Sequence, residues 1–514
     1  MKIIADLHIH SKYSRAVSPE MTLPKIAEWG KKKGIGLLAT GDWTHPLWFR
    51  EIKANLEEVA EGLYRLKTSD GGLRSSEKQV PEDVRSTFQP APNASFSSGQ
   101  RDNIQSNSKS GIKGALEKGV SYLLKETGPL FILSTEISSI YSQNGKGHRI
   151  HNVVLAPSID TVEKINKTLQ GRGANLMSDG RPITGIPAPD LVKLILGIDE
   201  KCLIIPAHVW TPWFSLYGSE SGFDSINECF GDMAKYIYAA ETGLSSDPAM
   251  NWRIAELDNR SIISCSDAHS GPKLGREATV FAESENRMSN VKCQMSNVSY
   301  DDIRKAIKGE SGKLKISYTL EFYPEEGKYH YTGHRNCGIK QSPEETKKLG
   351  EICPTCGRHL TIGVMHRVEQ LATRQLRTEN LKLETDENGV KWIGFNNRPP
   401  YAMLVPLQEI LAEALGGLPS SQNIQNEYNN LVMSFAENGG IGGEFGVLLK
   451  ESIGEITKIA GEKVAEGIKK VRMGDIFVDP GYDGVFGIVK IWSFDSAQDK
   501  GDKEEESKKQ MSLF

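Results

Sequence analysis

The chain has 514 residues, of which 38% are hydrophobic and 25% are charged, and its formal net charge is −4. This length exceeds one ordinary domain, so we expect two or three, and the composition is that of a soluble globular protein. The charge excludes a globally basic nucleic-acid binder, and the absence of a run of about 18 apolar residues excludes a membrane span.

The N-terminus enters a polar motif at once and shows no signal-peptide pattern, so we expect a cytoplasmic protein. The cysteine count agrees, because seven is odd and four cysteines are scattered singly, which is typical of a reducing compartment. These four are Cys202, Cys229, Cys265 and Cys293.

Seven short apolar runs, separated by longer helix-like segments, occupy residues 1–280. Several are too short and too uniformly apolar for surface helices, so we interpret them as buried parallel strands. Seven such strands with helical connections favour a β/α barrel or a doubly wound sheet. The runs are 2–5, 36–39, 130–134, 152–155, 202–206, 236–240 and 261–265. Residues 67–112, rich in Ser, Asn, Gln and Gly, predict a disordered surface insertion.

Histidines and acidic residues lie at or beside the ends of these runs. The carboxyl ends of parallel strands converge on one place, so we expect these side chains to meet. Imidazoles and carboxylates without thiolates suit two or three divalent ions (Zn, Mn, Mg or Fe), with Glu136 as a bridging ligand. Ions about 3.5–4 Å apart can hold a hydroxide for in-line attack on phosphorus, which predicts a phosphoesterase. The predicted ligands are His8, His10, Asp42, His45, Glu136, His151, His208, Asp267 and His269.

Two members of this set and two neighbouring residues are interpreted less narrowly. Asp42 and His45 are both candidates, and either one alone would suffice. Glu241 follows the sixth run and either contacts substrate or pairs with a base instead of a metal. His148 lies in a Gly-Lys-Gly loop, where an exposed side chain is the simplest interpretation.

A cysteine cluster lies in residues 328–377, where nine Lys and Arg face four Asp and Glu. Two short knuckles about 10–20 residues apart can close a tetrahedral zinc site, and a site with four protein ligands is structural. His330 is an alternative to His334, and a redox pair is the alternative to zinc. The basic side chains either contact phosphates or form a solvated face. The predicted zinc ligands are His334, Cys337, Cys353 and Cys356.

The C-terminal part looks helical over residues 405–472 and β-like over 475–492, and a charged, flexible tail follows from about Ser493. The tail ends on Gln510, Met511, Ser512, Leu513 and Phe514. A glutamine that hydrogen-bonds while Leu and Phe enter an apolar cleft is how short disordered peptides anchor. The pentapeptide is similar to the bacterial sliding-clamp-binding peptide, so the sliding clamp is a predicted partner.

The Asp-x-His-x-His motif at residues 6–10, the later Glu136, and the closing Ser-Asp-Ala-His at 266–269 resemble the polymerase-and-histidinol-phosphatase (PHP) family. The resemblance implies a distorted seven-stranded β/α barrel with a trinuclear site, in which Glu136, Asp267, His8 and His10 carry catalysis. One departure is the stretch 11–16, where many members have another histidine, so we expect a third ion site built differently, with Asp42 compensating.

The resemblance also distributes the ions. One ion would lie among His8, His10, Glu136 and Asp267. A second would be held by Glu136, His151 and His208. The third would be held by His269 with Asp42 or His45.

A PHP barrel, a zinc ribbon and a helical region in this order are similar to the endonuclease Q family, as are the segments 41–46, 207–213 and 241–248. The resemblance implies a PHP domain (1–315), a zinc ribbon (316–375), a helical domain (376–492) and a flexible tail (493–514). It implies an enzyme that nicks DNA on the 5′ side of deaminated bases (uracil, hypoxanthine, xanthine) and abasic sites.

Reading a lesion requires reaching the base, and flipping is cheapest for damaged nucleotides. The aromatic residues Trp210, Trp213, Phe214 and Tyr217 either stack on a base or pack at the rim of the barrel. Two other functions are considered: a small-molecule phosphatase of the histidinol-phosphate type, and a non-catalytic DNA-binding scaffold. The ribbon and the tail argue against the phosphatase, and the near-complete ligand set argues against the scaffold.

Overall fold

The computed structural model describes residues 2–67, 128–284, 297–376, 378–435 and 441–492. The predicted insertion (67–112, apart from Lys67), the predicted tail with its terminal pentapeptide, and Cys293 lie outside the described residues. Apart from Lys67, the described residues fall in one compact unit. The predicted domain boundaries stay predictions, and strand β12 runs across the boundary between residues 315 and 316.

The structure is a mixed α/β fold. Its strands are β1 (Lys2–Asp6), β2 (Leu37–Ala39), β3 (Leu56–Ala60), β4 (Leu63–Leu66), β5 (Leu130–Gln143), β6 (Lys146–Ala156), β7 (Ile183–Thr184), β8 (Leu203–Pro206), β9 (Ala239–Glu241), β10 (Ser261–Ile263), β11 (Ala278–Glu283), β12 (Leu314–Glu321), β13 (Thr332–His334), β14 (Ile339–Gln341), β15 (Lys382–Thr385), β16 (Lys391–Gly394), β17 (Tyr401–Met403), β18 (Phe477–Asp479) and β19 (Ile488–Lys490).

The α-helices are α1 (Leu23–Lys33), α2 (Pro46–Asn55), α3 (Ile159–Gly171), α4 (Ala188–Ile198), α5 (Ile226–Phe230), α6 (Pro248–Asn251), α7 (Tyr300–Lys308), α8 (Pro343–Leu349), α9 (Val364–Leu371), α10 (Leu407–Leu415), α11 (Gln422–Ser434), α12 (Gly443–Leu449), α13 (Ile453–Ala460) and α14 (Glu462–Met473). Short 3₁₀ helices span Gly231–Tyr236, Ala255–Leu257, Gly271–Lys273, Pro324–Glu326, Arg335–Cys337 and Thr378–Asn380.

Each of the seven predicted runs overlaps a strand, but the interpretation as parallel strands is wrong for β6. The parallel pairs among them are β1 with β2, β2 with β5, and β9 with β10. Strand β6 instead runs antiparallel to β5 and to β8. The physical reason is that β5 and β6 form a long hairpin whose central residues are buried on both faces, so their apolar runs look like those of parallel strands.

The main sheet continues from β1 through β11, β12, β17, β16 and β15, so the central and C-terminal parts of the chain share it. Strands β9 and β10 form a separate pair, and a parallel bridge between Ile9 and Ala268 joins the residues that follow β1 and β10. The predicted α/β class is therefore confirmed, while the closed seven-stranded barrel stays a prediction.

The C-terminal region is helical, as predicted, through α10 to α14. It packs on the end of α1, where Gly34 is left-handed (φ 83°) and a Cβ would collide with the Gly442 carbonyl. Beside this contact, the buried Lys33 Nζ lies 2.6 Å from Glu444 Oε2. Glu444 also accepts hydrogen bonds from the Leu407 amide (3.0 Å) and the Tyr428 hydroxyl (2.8 Å). A buried ion pair in which both carboxylate oxygens are hydrogen-bonded fixes the orientation of this contact.

Within the described ranges, no helix combines the length and apolar character that crossing a bilayer requires.

Candidate metal centre

Three groups of ligand-type side chains meet at the ends of the central strands. In each group the nearest ligand atoms lie within 4.8 Å of one another. Glu136 belongs to two of the groups, and so does His10, so the three form one continuous cluster. The groups are His8, His10 and Glu136; Glu136, His151 and His208; and His10, Asp267 and His269.

The elements that carry these residues converge as expected, with one difference. His8 and His10 follow β1, His208 follows β8, and Asp267 and His269 follow β10. Glu136 and His151 lie inside β5 and β6 and not at strand ends, because the hairpin continues for several residues beyond the cluster.

Three of the residues at strand ends have left-handed backbone, which is uncommon for residues with a side chain. They are Asp42 (φ 46°), His208 (φ 31°) and Asp267 (φ 48°). Residue 243, which packs against His208, must be glycine, because a Cβ on Gly243 would collide with the His208 Cβ and Cα atoms. Such conformations persist only where the surrounding structure enforces them, and they cluster at functional sites.

Buried atoms without partners test whether the cluster fits a metal. The Nε2 atoms of His8, His10 and His269 and the Oδ1 atom of Asp267 are buried and have no hydrogen-bond partner within the described residues. The His10 Nε2 and Asp267 Oδ1 atoms are 3.0 Å apart, but their geometry is not that of a hydrogen bond. Buried polar atoms almost always have a partner, and imidazole with carboxylate is a donor set for Zn, Mn or Fe. The residues therefore fit the predicted ions.

Glu136 is the centre of the second group. Its Oε1 atom lies 2.6 Å from His151 Nδ1 and 3.0 Å from His208 Nε2. Its other oxygen, Oε2, lies 3.5 Å from His10 Nε2. One carboxylate thus faces histidines of two groups through its two oxygens, which is the arrangement of a bridging ligand.

Opposite charges within the cluster stabilise one another. Burial opposes charge on His8, but Glu241, Asp267 and Glu136 outweigh it and raise the pKa of His8 to about 10. Burial opposes charge on Asp267 too, yet His8 and His10 hold the pKa of this carboxyl well below its usual range. Carboxylates that stay ionised in a buried site attract cations.

Two carboxylates orient the histidines instead of joining the groups. His8 donates through Nδ1 to Glu241, at 3.0 and 3.1 Å from its two oxygens. His10 donates through Nδ1 to Asp42 Oδ1 at 2.9 Å. Each bond fixes the tautomer and leaves Nε2 facing the cluster, as outer carboxylates do for metal-bound histidines. Glu241 thus pairs with a base, one of the two roles considered from the sequence.

Asp42 and His45 lie outside the three groups. Asp42 Oδ2 accepts hydrogen bonds from the Ser11 amide (2.6 Å), the Ser11 hydroxyl (2.7 Å) and the Ser14 hydroxyl (2.9 Å). His45 occupies the N-cap position of α2 without a side-chain capping hydrogen bond, and its ring stacks on Tyr13 at 4.4 Å between ring centroids. The stretch that departs from the PHP pattern therefore immobilises Asp42, and the structure brings His10 and Asp267, not Asp42 or His45, to His269.

A cavity of about 360 Å³ lies between the β5–β6 hairpin and the loop after His208, and none of the residues that line it belongs to the three groups. Arg149 lines it from a position two residues before His151 on β6, which puts both on one face of the strand. His148 also lines it, but is buried and stacked on Phe223 at 3.8 Å, so the prediction of an exposed side chain is wrong.

The four aromatic residues after β8 divide into two pairs. Trp210 and Tyr217 are fully buried in the core, so they pack and do not stack on a base. Trp213 and Phe214 are half-buried. The Phe214 ring centroid lies 4.8 Å from that of His151. Trp213 lines the cavity, and its ring centroid lies 5.4 Å from that of Tyr329, which follows β12.

Arg181 is a residue of the site that the sequence analysis missed. Its Nη1 atom lies 3.2 Å from Glu136 Oε2. It lies on the loop before β7, in a stretch without a strand-like apolar run. The available signal was the turn sequence Asp179-Gly180 immediately before a basic residue.

The predicted zinc ligands also meet. His334, Cys337, Cys353 and Cys356 have ligand atoms within 4.8 Å of one another. The left-handed residues Gly338 and Gly357 shape the two knuckles that carry them. His330 is buried against Tyr331 and lies outside this group, so the geometry favours His334. The described cysteines are free of disulfides.

Some of the basic side chains around this group are engaged within the protein. Arg367 lies 2.5 Å from Asp224, and Arg374 lies 2.5 Å from Asp258. These pairs hold the ribbon segment against the central fold. Lys348 and Arg358 are exposed.

The family model named MJ0043 C-terminal domain matches residues 406–475, which are the helices α10 to α14. An uncharacterized protein, MJ0043 of Methanocaldococcus jannaschii, is 33% identical over 284 residues, or 55% of this chain. The chain spans 31% of the length of that relative. The uncharacterized protein YqxK of Bacillus subtilis is 26% identical over 502 residues, covering 95% of this chain and 99% of YqxK.

Two solved structures match almost the whole chain. The lesion-specific endonuclease PfuEndoQ of Pyrococcus furiosus has a TM-score of 0.69 and 27% identity, covering 98% of this chain and 99% of that one. Endonuclease Q in complex with a 27-mer duplex substrate, with an abasic lesion at the active site, has a TM-score of 0.69 and 28% identity, covering 96% and 97%. The resemblance to endonuclease Q is confirmed over nearly the whole chain.

Proposed function

We propose that the chain is a lesion-specific DNA endonuclease that hydrolyses the phosphodiester on the 5′ side of deaminated bases and abasic sites. The observation that carries the proposal is the set of buried, partnerless Nε2 and carboxylate atoms that converge on one place. The likeness to two endonuclease Q structures, one of them with lesion-bearing DNA, supports DNA as the substrate.

The residues of the three groups would hold two or three divalent ions, which would supply an activated water and stabilise the leaving oxygen. Glu136 and His10 would each be shared between neighbouring positions. Glu241 and Asp42 keep His8 and His10 in the tautomer whose Nε2 is free. We therefore assign Glu136, Asp267, His8 and His10 as the catalytic set.

The cysteine group would hold one structural zinc ion, because four protein ligands leave no vacant position. We propose that the ribbon segment contacts the DNA backbone through its exposed basic residues, including Lys348 and Arg358. Trp213 lines the cavity and also contacts Tyr329, which supports a lesion-binding site at the junction of the central fold and the ribbon segment.

A nicking assay tests the proposal. The full chain is incubated with Mg²⁺ or Mn²⁺ and 5′-labelled duplexes that contain uracil, hypoxanthine, an abasic site or no lesion. We expect one cut on the 5′ side of each lesion, with a 3′-hydroxyl and a 5′-phosphate as products, and none in undamaged DNA. The Asp267→Asn variant should be inactive, whereas the matched Asp232→Asn change, at an exposed residue far from the groups, should not slow nicking.

Two outcomes refute the proposal in different ways. Hydrolysis of phosphomonoesters alone would indicate the phosphatase of the histidinol-phosphate type. Binding of DNA without hydrolysis would indicate the scaffold.

We also propose that the terminal pentapeptide binds the sliding clamp. Deleting residues 510–514 should abolish pull-down of a bacterial clamp and leave nicking of short duplexes intact. Unchanged pull-down would refute this partner.

A further inference from the structure

The Arg181 guanidinium lies at the edge of the cluster with part of its hydrogen-bonding capacity unused. Within the described residues its side chain makes one ion pair, to Glu136 Oε2 at 3.2 Å. The side chain is 23% exposed, whereas Glu136 is fully buried. A guanidinium has five N–H donors in a planar fork that suits phosphate and carboxylate alike. Arg181 can therefore bind a second anion on its solvent side without leaving Glu136.

The backbone around Arg181 is fixed by hydrogen bonds to residues close in sequence to the ligands and to Asp42. The Gly180 amide donates to the Tyr13 carbonyl (3.0 Å), and the Gly180 carbonyl accepts from the Thr44 hydroxyl (2.9 Å). The Arg181 amide donates to Asp179 Oδ1 at 3.2 Å. On the other side of Arg181, the Pro182 carbonyl accepts from the Ser138 amide (3.0 Å). The loop is thus fixed on both sides of Arg181, which gives the side chain a defined starting point.

The loop also packs tightly against the carboxylate of Asp42, which orients His10. A Cβ on Gly180 would collide with Asp42 Oδ2 and with Ser14 Oγ. Asp42 therefore links the two positions. Its Oδ1 atom orients His10, a predicted ligand, and its Oδ2 atom contacts the loop that carries Arg181. A group held within a fraction of an ångström of its working position is what electrostatic catalysis requires.

Charge gives the reason to expect an anion here. A guanidinium beside two or three divalent cations is repelled by them, and one bridging carboxylate offsets only part of that repulsion. A phosphate between the ions and the guanidinium would offset the rest.

We infer that Arg181 is a further catalytic residue, whose guanidinium binds a non-bridging oxygen of the scissile phosphate. The inference rests on the proposed function. In the reaction a water oxygen forms a bond to phosphorus, the bond from phosphorus to the 3′ oxygen of the preceding nucleotide breaks, and that oxygen takes up a proton. Negative charge grows on the non-bridging oxygens in the transition state, where the guanidinium stabilises it.

The experiment compares Arg181→Ala and Arg181→Lys with wild type in single-turnover nicking of an abasic duplex. The control is Arg172→Ala, an exposed arginine at the end of α3. We expect Arg181→Ala to slow nicking by about 10²–10³-fold, as loss of one transition-state donor does. Arg181→Lys should recover part of the rate, and Arg172→Ala should match wild type.

Three further measurements separate catalysis from support of Glu136. Bound metal, measured by mass spectrometry, should be the same in Arg181→Ala and wild type. Free guanidinium should accelerate Arg181→Ala and not the wild type. A phosphorothioate at the scissile position should slow the wild type more than Arg181→Ala, because the variant no longer contacts that oxygen.

The inference is overturned if Arg181→Ala nicks at the wild-type rate, or if its loss of rate follows loss of bound metal and guanidinium does not restore it. Failure of the proposed function would look different, because the wild type itself would then leave lesion-bearing DNA intact.

Discussion

Replacing Asp42 by asparagine tests whether outer carboxylates set the metal site. Asp42 accepts four hydrogen bonds, one at Oδ1 from His10 Nδ1 and three at Oδ2 from Ser11 and Ser14. An asparagine can keep the three hydrogen bonds from Ser11 and Ser14 at its side-chain oxygen if its amide nitrogen turns towards His10. Since that nitrogen only donates, His10 must then accept at Nδ1 and carry its proton on Nε2, the atom that faces the cluster.

The expected cost follows from the tautomer. An Nε2 that carries a proton cannot bind an ion, so the histidine must give up its new hydrogen bond before metal binds. Loss of such an outer partner costs about 10–100-fold in metal affinity or activity, equal to about 1.4–2.7 kcal/mol at 25 °C. Loss of the direct ligand Asp267 should cost more.

The assay titrates apo protein with Mn²⁺ and follows single-turnover nicking at each concentration. We expect the midpoint for Asp42→Asn to rise by about 10–100-fold, with the number of bound ions at saturation unchanged. An unchanged midpoint would refute the tautomer argument. A permanent loss of one bound ion would show that Asp42 is itself a ligand, as the PHP resemblance implied for the third site.

Three other predictions concern stability. Gly34→Ala should lower Tm without changing bound metal, because a Cβ there collides with the Gly442 carbonyl and the left-handed backbone costs about 1 kcal/mol. Burial raises the pKa of Glu321 to about 8, so the folded state binds its proton more tightly and stability falls as pH rises from about 4.5 to about 8. Thermal melts of Glu321→Gln should therefore show a smaller drop in Tm between pH 5 and pH 8. Cys356→Ser should reduce bound zinc and Tm together, and an unchanged zinc content would remove Cys356 from the ligand set.

The strands could be located from the sequence, but their directions could not. Apolar runs mark burial, and burial on both faces occurs in parallel strands and in the centre of a long hairpin alike. The direction of β6 depends on the turn at Asn144 and Gly145, both left-handed, which lies before the run that carried the signal.

The sequence predicted which residues form the site better than it predicted what each residue does there. Histidines and acids at successive strand ends indicate convergence, and the structure brings seven of the nine predicted ligands together. A carboxylate that binds an ion and one that orients a histidine look identical in sequence, so the sequence could not distinguish these two roles for Asp42. Arg181 was missed because it approaches the cluster from a loop, and loop geometry leaves no periodic pattern.

The pairing of β4 with β5 has a consequence for engineering the chain. Tyr64 pairs with Phe131 in antiparallel register, and that register, if continued, would set Leu66 opposite Pro129. Opposed residues in such a pair are about 5 Å apart, a gap that a two-residue turn closes. A shortened chain that joins Leu66 to Pro129 through Asn-Gly should therefore preserve the register of β5, and with it the position of Glu136. The same two positions offer an attachment point for a fluorescent or affinity domain whose ends lie close together.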